Sequence, residues 1–213
     1  MSKVKRTYGR HFMSDPRDKR FCIQRVSSEK TSKYWNDSWW RGNQGSQPSC
    51  VGYAWSHWLA CSPIRQLLNP DGIYKNAQYL DQWDGTNYDG TSVRAGAKLL
   101  QQLGMISEYK WAWDINNIIS CILEIGPVVV GTNWYEGMSE PDEKVCIHTT
   151  GKVLGGHAYV IRGVNTKKQR FQILNSWGSD WGRNGRAWLS FNDLSVLLAE
   201  NGEICLAIEK KPK

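Results

Sequence analysis

Residues 42–55 read GNQGSQPSCVGYAW and place Cys50 between a turn-prone polar stretch and a run that predicts a helix. Ser49 is a favourable N-cap residue, so we expect Cys50 in the first helical turn. Backbone N–H groups are unpaired there and the helix dipole is positive, which favours thiolate over thiol. Because the thiolate is the attacking species, Cys50 is a candidate nucleophile. The alternative is an inert packing cysteine.

The length and composition limit the class of protein. The chain has 213 residues, enough for one large domain or two closely joined lobes. Its longest apolar stretch, 118–131, is interrupted by Glu124 and Pro127 and is too short to cross a bilayer. The N-terminal residues lack the apolar run of a secretory signal, and the six cysteines include no CxxC pair. We therefore expect a cytoplasmic protein with mostly free thiols and no membrane segment.

The net charge of +7 is concentrated near the N-terminus. Residues 1–41 contain eleven Lys or Arg and four Asp or Glu, whereas residues 42–213 contain sixteen of each kind. A basic arm could bind nucleic-acid phosphates through counterion release. A nucleic-acid-binding face usually includes basic residues of the folded body as well, so we favour a solvated lead-in over a nucleic-acid partner.

The character of the sequence changes near residue 125. Helical patterns come first, in residues 49–61 and again in residues 92–104, where Gly104 is expected to end the helix. Short β-rich runs separated by turn residues follow. We expect an α+β protein with a basic arm over 1–24, a mainly helical lobe over 25–125 and a β-rich lobe over 126–213. Its site is expected in the cleft between the lobes.

A thiolate nucleophile needs a histidine, and that histidine needs an orienting group. Of the four histidines, His11 lies in the basic arm, and His148 lies in a predicted loop without an evident role. His57 falls about 10 Å beyond the nucleophile along the helix. With Cys61 it supplies two ligands, too few for a metal site, so we expect a packing histidine. His157 follows two glycines at the start of a predicted strand and is the best-placed base.

The orienting group is predicted from a hairpin. After a turn at NTKKQ (165–169), the sequence reads QILNSWGSDWGRNG (172–185). Antiparallel strands joined by this turn would bring His157 beside Asn175. The asparagine carbonyl could then accept the imidazole N–H, and Trp177 would shield that hydrogen bond from water. The alternative is a polar turn with aromatic packing.

Three blocks together resemble the signature motifs of papain-family cysteine peptidases. They are the stretch from Gln44 to Cys50, the Gly-Gly-His157 run and the NSWGSDWGRNG run at 175–185. The order of the blocks and the six-residue spacing of the first are similar to the family. The resemblance extends over about residues 15–208. It implies a papain-like α+β fold, with a helical lobe, an antiparallel β-barrel-like lobe and the active site between them.

The resemblance also implies the chemistry of the site. Cys50 would be the nucleophile that forms an acyl-thioester, His157 the general acid and base, and Asn175 the orienter. The side-chain amide of Gln44 and the backbone N–H of Cys50 would stabilise the oxyanion. Peptide or protein substrates are implied, and no metal or organic cofactor is expected.

The resemblance further assigns residues to substrate binding. Gly90 and Thr91 lie in DGTSVRAGAKLLQQLGMI (89–106), which is similar to the substrate-cleft strip and following helix of bacterial members. Gly156 and Trp177 are the other expected contacts, and Gly156 should open the neighbouring subsite, since many relatives carry a larger or acidic residue there. Gln47 stands where members commonly have a bridged cysteine, which fits an intracellular chain, in the host cytoplasm if the protein is viral.

Restraint of the activity is a separate question, because only about twenty residues precede the family-like region and we expect no long pro-segment. An inhibitory partner protein, the arm lying over the cleft, or narrow specificity would each restrain the enzyme, and we hypothesise that the arm is regulatory. Two other functions use the same fold. One is an acyltransferase or peptide ligase with the same four residues, and the other is a non-catalytic peptide-binding module.

Overall fold

The computed structural model describes residues 6–83 and 88–209, and all elements below lie in these ranges. The α-helices are α1 (Cys50–Ala60), α2 (Pro70–Gln78), α3 (Val93–Gln102), α4 (Ile115–Glu124) and α5 (Phe191–Ala199). The strands are β1 (Arg10–His11), β2 (Ser32–Tyr34), β3 (Thr91–Ser92), β4 (Ile106–Ala112), β5 (Val128–Tyr135), β6 (Cys146–Ile147), β7 (Val153–Asn165), β8 (Arg170–Leu174), β9 (Arg186–Ser190) and β10 (Glu203–Glu209). The α+β class is confirmed.

One large sheet organises the described residues. Its strands follow the order β4-β10-β5-β7-β8-β9-β6, and β2 pairs with β7 beside this path. All neighbours are antiparallel except β6 and β9. A separate parallel pair joins β1 to β3. The 13-residue strand β7 lies at the centre, so whatever it carries is held by neighbours on both sides.

Both faces of the sheet are covered by packed side chains. Successive residues of a strand point to opposite faces, so one strand contributes to the packing on both sides. In β5, Val128 and Val130 belong to one hydrophobic cluster, whereas Val129 belongs to the other. The first cluster includes residues of α4 and α5, and the second includes residues of α1 and α3. Helices therefore pack on both sides, and strands that are buried on both faces read as continuous apolar runs.

Helix α1 is buried along its whole length, which explains its apolar composition on every side. Two tryptophans fix its position, since the Trp55 indole N–H donates to the carbonyl of Val93 at 3.1 Å and that of Trp58 donates to the carbonyl of Pro127 at 2.9 Å. The predicted end of helix α3 is also present, because Gly104 has φ = 70° just after its last residue. Cys50, the first residue of α1, belongs to the same hydrophobic cluster as Ala158 of β7.

The sheet draws on residues from both sides of the predicted boundary at residue 125. Strand β4, at 106–112, pairs with β10, and Ile118 and Ile122 of α4 belong to the hydrophobic cluster that includes α5. Residues 106–124 therefore pack with the β-rich part of the chain. None of the helices in the described residues is long and apolar enough to cross a membrane.

Charged residues near the N-terminus are paired with oppositely charged residues of the folded body. Arg6 contacts Glu140 at 2.9 Å, and Arg94 of α3 pairs with Asp18. Arg10 forms a buried ion pair with Glu203 at 2.9 Å. These ion pairs attach the charged N-terminal residues to the folded body.

Candidate active site

Cys50 is the first residue of α1, as predicted. Ser49 occupies the N-cap position, but its side chain makes no capping hydrogen bond, and its Oγ is buried without a partner among the described residues. Ser49 therefore lies at the predicted N-cap position, but its hydroxyl does not cap the helix.

The Cys50 sulfur lies in a closed environment, since the residue is 0% exposed. Burial raises the pKa of Cys50 to about 11, although hydrogen bonding to the backbone of Ala158, Gly9 and Val51 and the charge of Arg10 lower it. Only an N–H stabilises a thiolate, so these backbone groups present donors to the sulfur. The helix N-terminus acts in the predicted direction, but desolvation outweighs it, and Cys50 is a neutral thiol in this arrangement.

The predicted hairpin brings His157 and Asn175 together. Strands β7 and β8 pair with Asn165 opposite Arg170, and Nε2 of His157 lies 2.8 Å from Oδ1 of Asn175. The same Oδ1 accepts the backbone N–H of Ser176 at 2.8 Å, which identifies it as the oxygen. Because an amide oxygen only accepts, Nε2 carries the proton and Nδ1 keeps a lone pair.

Aromatic rings enclose this imidazole. Trp177 and Trp134 lie 5.0 and 4.7 Å from the His157 ring between centroids. Burial lowers the pKa of His157 to about 4, while the hydrogen bond to Asn175 raises it. Nδ1 has no hydrogen-bond partner in residues 6–83 and 88–209. Nδ1 of the neutral ring is therefore a free acceptor. His157 directly precedes Ala158, whose backbone contacts the Cys50 sulfur.

Gln44 is buried, and both ends of its amide are engaged. Oε1 accepts the hydroxyl of Ser176 at 2.6 Å, while Nε2 donates to the carbonyls of Gln47 at 2.7 Å and Thr7 at 3.3 Å. The sequence offered no other role for this amide, but the structure adds two partners within the protein. Ser176 was missed, although it lies in the quoted NSWG run. Its hydroxyl turns the Gln44 NH₂ group towards Thr7.

Residues 6–13, which we name the cleft segment, cover the site. Strand β1 pairs in parallel with β3, and the backbone N–H of Thr91 donates to the carbonyl of Gly9 at 2.8 Å. The Tyr8 ring lies 6.0 Å from the His157 ring. The Arg6 guanidinium stacks 4.2 Å from the Trp177 ring. The cleft segment therefore occupies the space in front of the candidate nucleophile.

All four predicted substrate-binding residues contact the cleft segment. Thr91 and Trp177 do so through the contacts above, and the two glycines do so by their lack of a side chain. A Cβ on Gly90 would lie 2.4 Å from the Gly9 carbonyl oxygen, and one on Gly156 would lie 2.2 Å from that of Arg10. The sequence predicted an open subsite at Gly156, and in the structure the backbone of Arg10 occupies that space.

His57 is a buried packing residue with a structural role. Its Nε2 accepts the backbone N–H of Gly42 at 3.2 Å, which supports the loop that leads to Gln44. Burial and the charge of Arg41 together lower the pKa of His57 to about 3, against the opposing charge of Asp37. Among the described residues no group of three or more His, Cys, Asp or Glu is arranged to hold a metal ion.

The depressed pKa of His57 predicts how stability depends on pH. The pKa of the His57 imidazole is about 3 in the folded state and about 6.5 in the unfolded state. The neutral ring therefore stabilises the fold at pH values above about 6.5, and this stabilisation is lost as the pH falls towards 3. We therefore compare the free energy of unfolding of the wild type with that of His57→Gln. The stability advantage of the wild type should fall by about 1.4 kcal/mol for each pH unit below about pH 6. Urea unfolding between pH 8 and 4 measures it. A difference that does not change with pH would contradict the buried neutral imidazole.

Known proteins resemble the chain in sequence. It is 36% identical over 81 residues, 37% of this chain and 47% of the relative, to cathepsin B-like cysteine proteinase 3 of Ostertagia ostertagi. It is 26% identical over 192 residues, 67% of this chain and 61% of the relative, to an uncharacterized peptidase C1-like protein of Acanthamoeba polyphaga mimivirus. The matches thus span about half to three fifths of these two relatives. No family model matches.

Solved structures resemble the fold over nearly the whole chain. Xylellain, a cysteine protease from Xylella fastidiosa, superposes with a TM-score of 0.77 at 19% identity and covers 99% of this chain and 100% of its own. Digestive procathepsin L 3 of Tenebrio molitor larval midgut has a TM-score of 0.65 at 17% identity and covers 96% of this chain and 76% of its own. The chain therefore has the papain-like fold and is related to the papain-family cysteine peptidases.

Proposed function

We propose that this protein is a cysteine peptidase that hydrolyses peptide bonds through an acyl-thioester on Cys50. The observation that carries the proposal is the hydrogen bond from Nε2 of His157 to Asn175, at 2.8 Å, which leaves the Nδ1 lone pair free beside the residue that contacts the sulfur. A general base must offer such a lone pair to the proton that it removes. The helix N-terminus at Cys50 favours the resulting thiolate.

The reaction proceeds in two halves. Nδ1 of His157 takes the thiol proton, and the thiolate adds to the substrate carbonyl. The Gln44 amide and the backbone N–H of Cys50 stabilise the oxyanion. The imidazolium then protonates the leaving amine, and a thioester remains on Cys50. Water, deprotonated by the same imidazole, releases the acid and restores the thiol.

The cleft segment restrains this activity in our proposal. Its Gly9 presents an N–H to the sulfur, whereas a substrate must present a carbonyl carbon. The Thr7 carbonyl accepts from the Gln44 amide, which is the donor assigned to the oxyanion. The segment therefore blocks both reactive groups without being positioned for cleavage. Restraint by the chain itself makes a separate inhibitory partner protein unnecessary.

Product identification tests the class of reaction. The full chain and a Gly9→Val variant, designed to displace the cleft segment, are incubated with internally quenched peptides, with and without a competing amino-acid amide. Mass spectrometry is expected to show two fragments whose masses sum to the peptide plus one water. Products that join the amine to the acyl fragment instead would indicate a ligase. A folded variant that binds peptides but neither cleaves them nor reacts with iodoacetamide at Cys50 would indicate a binding module.

Ser176 should act on the rate through Gln44. We expect Ser176→Ala to lower kcat about tenfold with little change in KM, since one hydrogen bond of about 1.4 kcal/mol orients the amide. Gln44→Ala should lower kcat about a hundredfold or more. The double variant should be no slower than Gln44→Ala alone. Additive losses in this cycle would contradict the positioning role.

We propose that the protein acts in the cytoplasm or another reducing compartment, and its peptide substrates are met there. Cys61 and Cys121 form no disulfide, and burial holds the pKa of both thiols near 12, which keeps them unreactive. Protein denatured from its native source without reductant should react with six equivalents of maleimide. Four or fewer would indicate a disulfide and contradict this location.

A further inference from the structure

One end of the sheet carries side chains that are only partly covered. On strand β8, Leu174 packs in the hydrophobic cluster that includes residues of α1 and α3. Gln172 and Arg170 point to the same side as Leu174, because alternate residues of a strand share a face. The neighbouring strands add Tyr34 of β2 and Trp188 of β9 to this side. In residues 6–83 and 88–209, neither of these two rings belongs to a hydrophobic cluster.

We name these side chains the aromatic face, which consists of Tyr34, Arg170, Gln172, Arg186 and Trp188. Tyr34 is 36% exposed, and its ring lies 6.0 Å from the Trp188 ring in a T-shaped arrangement. A Cβ on Gly163 would lie 2.2 Å from Cδ1 of Tyr34, so the missing side chain of this glycine gives the ring its place. The Arg170 guanidinium lies 3.9 Å from the centre of the Trp188 ring. Flat groups therefore lie side by side, and other flat rings can stack on such groups.

Positive charge exceeds negative charge beside the aromatic face. Asp37 accepts hydrogen bonds from Arg186 at 2.8 and 2.9 Å and contacts Arg41 at 3.2 Å. Nε of Arg162 lies 3.9 Å from the same carboxylate, and Nη1 of Arg162 donates to Gln172 of the aromatic face. Three guanidinium groups thus share one carboxylate, and burial lowers the pKa of Arg41 and Arg162. An anion at the partly exposed Arg186 would offset this excess charge.

Two lysines extend the positive charge at the end of the aromatic face. Lys167 and Lys168 are exposed in the turn that joins β7 to β8, shortly before Arg170. The backbone N–H of Thr166 donates to the carbonyl of Thr31 at 2.9 Å, so the turn lies against the chain that enters β2. A nucleic-acid-binding face usually includes basic residues of the folded body. The turn and strand β8 supply such residues, which the charge count along the sequence did not reveal.

The combination of flat and positive groups indicates one kind of ligand. Single-stranded nucleic acid has a phosphate chain and unpaired bases, and proteins bind it with basic side chains and with rings on which the bases stack. Guanidinium planes accept bases in the same way as aromatic rings. An acidic peptide would match the charge but would leave the exposed ring without a stacking partner.

We propose that the aromatic face and the turn at 165–169 bind single-stranded nucleic acid. Bases stack on Tyr34 and on the Arg170 guanidinium, and phosphates contact Lys167 and Lys168. Because these contacts involve rings and phosphates, binding depends little on base sequence. The inference goes beyond the proposed peptidase function and is independent of it, since the aromatic face contains none of the residues assigned to catalysis.

Fluorescence anisotropy with labelled oligothymidylate and oligouridylate of about 16 nucleotides tests the full chain. We expect a dissociation constant on the order of 10 µM near physiological salt, with weaker binding as salt rises. Lys167→Gln/Lys168→Gln should weaken binding about tenfold and reduce the salt slope by about 0.7 for each lysine. Tyr34→Leu should weaken binding about fivefold or more and leave the salt slope unchanged, because it removes stacking and no charge.

The matched control is Lys75→Gln/Lys98→Gln, which removes the same charge from α2 and α3. It should bind within twofold of the parent chain, and circular dichroism establishes that each variant is folded. A parent chain that binds neither oligonucleotide at low salt overturns the proposal. Equal losses in the two double-lysine variants, or full affinity in Tyr34→Leu, also overturn it. Polyglutamate of matched length that displaces the oligonucleotides equally well would replace nucleic acid by an acidic peptide as the occupant.

Discussion

Cys50→Ala is expected to lower kcat/KM for peptide hydrolysis by about 10⁵-fold or more, which is the size of effect seen when a catalytic nucleophile is removed. The reason is that alanine leaves His157, Asn175 and Gln44 in place but gives no atom to form the thioester. Fluorogenic peptide turnover measures the rate. When both chains also carry Gly9→Val, which uncovers the sulfur, intact-protein mass spectrometry after brief alkylation should show one adduct fewer for Cys50→Ala.

Cys146→Ala is the matched control for this change. Cys146 lies in β6, where its sulfur contacts the carbonyl of Lys144 at 3.7 Å, and it takes no part in the site. We expect its peptidase activity to stay within twofold of the parent. If Cys50→Ala kept a substantial rate while Cys146→Ala lost it, the nucleophile would have been assigned to the wrong cysteine.

Gly9→Val should expose the nucleophile. A Cβ at this position would lie 1.9 Å from the carbonyl oxygen of Pro48, so valine cannot be placed without moving the cleft segment away from the sulfur. The pKa of Cys50 should then fall from about 11 towards the ordinary value. A fall to about 8.5 raises the thiolate fraction at neutral pH about 300-fold. Stopped-flow alkylation with iodoacetamide measures this increase, and peptide turnover should rise with it.

Gly126→Val provides the comparison, because a Cβ at Gly126 would meet nothing within 4 Å. The same substitution there should leave the alkylation rate of Cys50 unchanged. A folded Gly9→Val protein whose Cys50 reacts as slowly as the parent would show that the segment does not shield the sulfur. Circular dichroism and thermal unfolding of both variants establish that each retains the fold.

Two opposing effects act on Cys50, and the cleft segment decides between them. The helix N-terminus and three backbone contacts favour the anion, while complete burial favours the neutral thiol. His157 is subject to the same opposition, since burial disfavours the imidazolium that an ion pair with the thiolate requires. Opening the cleft admits water and relieves desolvation at both groups. Displacement of the cleft segment therefore favours the charged forms of both Cys50 and His157.

The parts of the site that the sequence predicted are those connected by local rules. A turn at 165–169 joins two strands, and antiparallel pairing then determines that His157 and Asn175 meet. Helix α3 and its terminal Gly104 follow likewise from spacing and from the freedom of glycine at positive φ. Strand β4 was not foreseen, because its pairing partner β10 lies almost a hundred residues away in sequence.

By itself the sequence identified the candidate site residues, the α+β class, and the meeting of histidine and asparagine, because each depends on residue type and on short-range geometry. Tertiary structure alone decided the state of the thiol, the orientation of the Gln44 amide by Ser176, and the pairing of Arg10 with Glu203. Burial and electrostatic pairing depend on which distant segments come into contact. That information is not contained in any one stretch of the chain, and it appears only when the N-terminal residues fold across the sheet.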